Sequence, residues 1–154
     1  MRVDRRGAAT GARLLLRICF WAGALTDGGA AVQMLSTRVF GLAYRVSGFS
    51  PGPDYRFAMG MGASLMIGWT VLLLWADRAP FERKGVLLIT VVPVILGLAA
   101  NQVGAWRDGF IPLGALVPVW ALQLVLSAVF VAAWAYARAT ERRAALVQRT
   151  EAQR

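Results

Sequence analysis

No histidine occurs in this chain, and cysteine occurs once, at Cys19. The first absence removes the commonest general base and metal ligand at neutral pH. The second excludes an intrachain disulfide, a CxxC redox pair and a cysteine zinc site. Cys19 lies inside an apolar run and reads as a small packing side chain. Charge is scarce as well: 16% of the 154 residues are charged, whereas ordinary soluble domains carry about 25%. What charge there is leans one way, with 17 basic residues against eight acidic ones and a formal net charge of +9. No HExxH, GxSxG or glycine-rich phosphate loop is present. Gly60-Met61-Gly62 lacks the strand–turn–helix context of a nucleotide loop and reads as a helix-packing feature. No metal site and no cofactor is expected.

Hydrophobic residues make up 58% of the chain, in four runs: roughly Leu14–Ser36, Phe57–Ala76, Val86–Gly104 and Pro112–Ala137. Each holds enough residues to cross about 30 Å of hydrocarbon as a helix. Lipid leaves backbone polar groups no partner outside their own helix. The fold class expected is therefore all-α, an integral-membrane four-helix bundle. Residues 1–137 form the four-span domain, and 138–154 a basic, solvated helical tail that continues the fourth span. A cleavable signal peptide is the rival reading of the N-terminus. Arg17 and Asp27 interrupt its apolar stretch, and the Arg5-Arg6 pair lacks the hydrophobic residues that follow a twin-arginine signal.

The basic residues give an orientation. Thirteen of the 17 fall in the N-terminal region, the loop after the second run and the C-terminal tail; only Arg38, Arg45, Arg56 and Arg107 fall on the other side. Their grouping at the ends of apolar runs is that of membrane flanks, not of a nucleic-acid-binding face. The positive-inside rule then puts both termini in the cytoplasm of a bacterial inner membrane. The bilayer is the first partner, and Arg78, Arg83 and Lys84 in the inner loop are candidates to hold anionic lipid headgroups. They also serve as a topology signal alone.

The first outer loop is the longest. Val39, Leu42, Ala43 and Val46 follow helical spacing, with Arg38, Gly41 and Arg45 opposite, which predicts a short interfacial helix with its apolar face among acyl chains. An extension of the first span is the alternative. Ser50-Pro51-Gly52-Pro53-Asp54 then forces a turn.

Asp27 is the residue that most needs explaining. It lies mid-run in the first span, where a carboxylate costs about 2.5–3.5 kcal/mol on insertion scales. It falls on a face of small residues, which predicts that it points into the bundle. Counting inward at about 1.5 Å per residue places Ser64, Asp27, Asn101 and Gln123 about 8 to 16 Å below the outer surface. One buried polar cluster of these four is the economical reading, either as glue between helices or as a ligand or proton site. Gly60, Ser64 and Gly68, at four-residue spacing, form a small-residue strip expected to dock a neighbouring helix, and Gly97 lies on a similar face of the third span. Pro93 removes a backbone donor there and predicts a kink.

The layout, the run Ala22-Gly23-Ala24-Leu25-Thr26-Asp27-Gly28, and Gly68-Trp69 through Trp75-Ala76-Asp77-Arg78 to Pro80, Glu82 and Arg83 resemble small bacterial inner-membrane proteins of the DoxX-like type. That resemblance implies four helices with a longer loop after the first, and an association of some members with membrane oxidoreductase systems. Taken together, the sequence favours a non-enzymatic accessory or interaction subunit, partnered by another membrane protein or by copies of itself. A small transporter or proton-coupled binding protein using Asp27 is the alternative. A membrane enzyme acting on a lipid or quinone comes third.

Overall fold

A computed structural model describes residues 2–153. Among these residues every regular element is a helix: α1 (Arg2–Leu35), α2 (Thr37–Tyr44), α3 (Pro53–Ala76), α4 (Gly85–Ile89), α5 (Leu96–Arg107) and α6 (Leu113–Ala152). A π-helical segment, Thr90–Ile95, joins α4 to α5, so that Gly85–Arg107 runs on as one rod. This rod, α1, α3 and α6 are the four helices long and apolar enough to cross a membrane.

Two of these helices outrun their apolar stretches. α1 starts at Arg2 and α6 continues past Ala137 to Ala152 without a break. Alanine, arginine and glutamate are good helix formers, so a helix begun in an apolar run carries on through them. Beyond Ala137 the side chains of α6 are mostly exposed.

Local chemistry sets the breaks. Ser36 leaves the helical region at φ −121°, and its Oγ accepts the Val39 N–H at 3.3 Å, so it caps α2 and separates it from α1. α2 is thus a helix of its own. Arg45 ends it in the left-handed region at φ 56°. Pro53 opens α3 at a position where its missing N–H costs nothing. Gly109, at φ 70°, reverses the chain between α5 and α6, and the Phe110 N–H returns to the Ala105 carbonyl at 2.9 Å. Pro93 lies inside the π segment. The ring cannot donate to the ladder and crowds the preceding turn, and a wider turn relieves both.

Two apolar clusters hold the helices together. The larger joins Leu16, Cys19 and Phe20 of α1, Leu73 and Ala76 of α3, Leu87 and Val91 of the rod, and Phe130, Ala133 and Ala137 of α6. The smaller lies at the opposite end, where Phe40 of α2 packs on Ile111, Ala115 and Leu116, flanked by Tyr44, Phe49 and Met59. Aromatic rings thicken this second cluster: Phe40 lies 4.7 Å from Tyr44 and 4.8 Å from Phe49 between centroids. The face of α2 that packs is therefore the one carrying Phe40 and Tyr44. The expected stripe points away, with Leu42 72% exposed.

Ionic contacts gather at the end bearing the 77–84 loop, called here the basic end. Arg17 donates to both oxygens of Asp77, at 2.9 and 3.0 Å, and Trp21 Nε1 adds a contact at 3.3 Å. The Arg17 hydrogen bond, first of all, holds the Asp77 carboxyl below its usual range, against the opposing effect of burial. Lys84 pairs with Glu141 of α6 at 2.7 Å. Arg83 lies over the Trp75 ring, 3.4 Å from its centroid, and donates to the Trp75 carbonyl.

Candidate functional site

Between the two apolar clusters lies a cavity of about 200 Å³. α1 contributes Gly23, Thr26, Asp27, Ala30, Gln33 and Met34; α2 contributes Phe40 and Tyr44; the rod contributes Thr90, Ile95, Leu98 and Gln102. α3 reaches it through Met59, and α6 closes it with Val119, Leu122, Gln123, Leu126 and Phe130. Phe130, almost fully buried, belongs also to the larger cluster, and Phe40 and Tyr44 to the smaller one. The cavity is thus flanked by packed rings toward both ends.

Local sequence explains how Asp27 comes to stand here. Gly23 is the close-contact position of α1: a Cβ built on it would lie 3.0 Å from Leu73 Cδ1 and 3.3 Å from Phe130 Cζ. That close approach brings α3 and α6 against α1 one turn before Asp27. Asp27 is 7% exposed and Gln102 is 9% exposed. Asp27 Oδ2, Gln102 Oε1 and Gln123 Oε1 are all buried with no hydrogen-bond partner among the described residues. Three spans therefore each bring one unmatched oxygen to the same cavity. No lysine or arginine is among its lining residues.

Two threonines beside it are matched within the chain. Thr26 donates to the Ala22 carbonyl at 2.7 Å. Thr90 donates to the Val86 carbonyl at 2.9 Å and accepts from Trp69 Nε1 at 3.2 Å, which ties the π segment to α3. Burial pushes the Tyr44 phenol above its usual range, and a side-chain contact from Gln102 opposes this.

The structure brings Asp27 and Gln123 together and leaves Ser64 and Asn101 outside. Both lie exposed, and the Ser64 hydroxyl faces the Gly60 and Met61 carbonyls of its own helix at 3.4 and 3.2 Å. Gln102, one residue on from Asn101, takes the inward position. Gln102, Tyr44 and Gln33 were not among the residues read from the sequence, whereas Thr90 shares with Pro93, Gly97 and Asn101 one face of the third span in that reading. The signal available for Tyr44 was the Phe40–Tyr44 spacing on a helix beside Asp27.

Gly60, Gly68 and Gly97 have open space where a side chain would stand, so no helix of this chain packs on them. Close packing occurs instead at Gly23 and at Gly62, where Met34 Sδ lies 3.3 Å from a built Cβ. Of the three basic loop residues, Arg78 is exposed, while Arg83 and Lys84 have the intramolecular partners described above.

A second hollow, a groove between the rod and α6, is lined by Leu96, Ala99, Val103, Trp120, Leu124 and Ser127 and shares Ile95 and Gln123 with the cavity. Trp120 Nε1 is buried beside it without a partner among the described residues.

Comparison with protein-family models, with curated proteins and with solved structures finds no match to this chain.

Proposed function

We propose that this is a multi-pass protein of a bacterial inner membrane, with both termini cytoplasmic, that binds a small ligand in the cavity around Asp27. One observation carries the reading: Asp27, Gln102 and Gln123, from three different spans, converge on one cavity with an oxygen unmatched on each. Helix glue would pair these groups with one another, since each buried polar atom left unmatched costs about 1–3 kcal/mol. A site kept unmatched at that cost is one that a ligand completes. The residues lining the cavity supply a carboxylate and amide oxygens, the means of recognition, and these favour binding or transport.

Small polar organic molecules of every charge, screened by thermal shift in nanodiscs, should include some that raise the melting temperature of the wild type. They should not raise that of Ala30→Trp, which fills the cavity; circular dichroism checks that this variant keeps its helix content. If no compound of any charge separates the two proteins, the cavity is not a binding site.

The accessory-subunit reading keeps one observation of its own. The Gly60, Ser64 and Gly68 strip of α3 faces outward with open space beside both glycines, which suits close approach by a partner helix. On this reading Gly68→Leu dissociates a native complex isolated in mild detergent and leaves the ligand-induced thermal shifts unchanged.

A further inference from the structure

We infer that the ligand is a small lipophilic ammonium ion, its charged head among Asp27, Gln102 and Gln123 and its apolar part against the aromatic and aliphatic walls. The inference rests on the cavity-binding reading above and adds the chemical class. Each of the three unmatched atoms is an oxygen, and each accepts hydrogen bonds. A ligand that satisfies three acceptors at once brings several donors on one centre, as an ammonium group does. Asp27 adds a formal negative charge with no basic side chain in the cavity wall to meet it. Arg17, ten residues earlier on α1, stands about 15 Å away along the helix and is engaged by Asp77. The wall also presents the rings of Phe40, Tyr44 and Phe130, and aromatic faces attract cations most strongly where water is excluded.

Size and surroundings argue for an apolar substituent. The remaining lining is largely Met34, Met59, Leu98, Leu122 and Leu126. An apolar cavity of roughly 150 Å³ holds benzene, so the 200 Å³ here accommodates a phenyl ring with an aminomethyl group. The groove between the rod and α6 lies against the cavity across Ile95 and Gln123 and is otherwise almost wholly apolar, so the surroundings of the site favour a lipid-soluble ligand.

The test uses the full chain in nanodiscs, with benzylammonium as the probe. Benzyl alcohol, phenylacetate, methylammonium and sodium serve as comparison ligands, and Ala30→Trp and empty nanodiscs as blanks. Calorimetric titration should show benzylammonium binding the wild type most tightly of the five. Asp27→Asn should weaken it by about tenfold or more, the loss expected for a charge-assisted hydrogen bond, and should leave benzyl alcohol unaffected. Gln123→Leu, at a half-buried position, provides a second variant should Asp27→Asn lose helix content, and should weaken benzylammonium severalfold. Binding of benzyl alcohol or phenylacetate as tight as that of benzylammonium overturns the ammonium assignment and leaves the cavity reading standing. Equal binding of methylammonium or sodium overturns the lipophilic part. Unchanged benzylammonium affinity in both variants overturns the placement of the charge. Indifference of wild type and Ala30→Trp to all five probes removes the ammonium ligand, and the broader screen then decides the cavity.

Discussion

Asp77 and Asp27 are carboxylates in opposite circumstances. Asp77 is matched twice by Arg17 and once by Trp21, and its pKa is held down by those contacts. A carboxyl with a depressed folded-state pKa contributes stability above its unfolded value, about 3.9, and that contribution is lost as pH falls through the folded value. Melting temperatures in detergent should therefore separate wild type from Asp77→Asn at pH 7, and the gap should begin to narrow only as pH falls below about 4 and close below the folded-state value. A gap that does not narrow at all between about pH 5 and about pH 2 would mean that the pair does not set the difference. Asp27 is unmatched at Oδ2, so its removal should help the fold. Asp27→Leu is expected to melt at or above the wild-type temperature while losing ligand response, the usual exchange of stability for function. A drop of several degrees would make Asp27 a structural residue. The legibility of the site follows the same logic. Asp27 stood out because a carboxylate in an apolar run is costly wherever it points. Asn101 was preferred to Gln102 because composition does not fix helical register, and one residue turns a side chain by about 100°. Ser64 reads as polar in sequence yet needs no partner from another helix, since its own backbone faces it.

At the scale of the element, the four long helices were visible from apolar runs and basic flanks, and so was the inward face of α1, whereas the packing face of α3 was not. In a water-soluble helix the most apolar stripe faces the core. With lipid outside, that inference fails: Leu42 on α2 and the Leu14, Ile18, Trp21 and Leu25 stripe of α1 are exposed, while equally large apolar residues such as Leu16, Phe20 and Leu73 are buried, so small and polar residues are the better sign of an inward face. Small residues alone are ambiguous, however, because they also occur on outer faces. Gly60 and Gly68 have empty space before them, whereas Gly23 has Leu73 and Phe130. Gly23→Leu should consequently lower stability by about 1–3 kcal/mol, the usual cost of overpacking, seen as a loss of melting temperature in detergent. Gly68→Leu should be near neutral in the isolated protein. Equal damage from both would show that α3 packs on a second chain along that strip. The π segment was foreshadowed only as a kink at Pro93; that the wider turn would carry Thr90 and Ile95 to the cavity wall depended on tertiary packing.

The interior of the molecule is polar at its middle and apolar toward both ends, while most of the basic residues are collected at one end of its surface. Cysteines placed at Gly52 and Gly109, in a Cys19→Ser background, should react with an impermeant thiol reagent in intact cells. Cysteines at Ala79 and Ala152 should react only after lysis. Labelling of Ala79 in intact cells would reverse the orientation that the thirteen clustered basic residues imply. The two apolar clusters that flank the cavity are unequal. All four long helices supply the one at the basic end, whereas the opposite one hangs on α2, eight residues held between the Ser36 cap and the left-handed Arg45.

That inequality has a consequence for how the backbone breathes. Opening free energy follows local packing, so amide protons should exchange for deuterium soonest in α2 and latest around Leu73 and Phe130. Because Phe40 and Tyr44 line the cavity, a molecule held there should slow the exchange of α2 and leave the slow amides as they were. The same short helix that makes the chain leaky on the timescale of minutes would then report occupancy, a built-in gauge that needs no attached label.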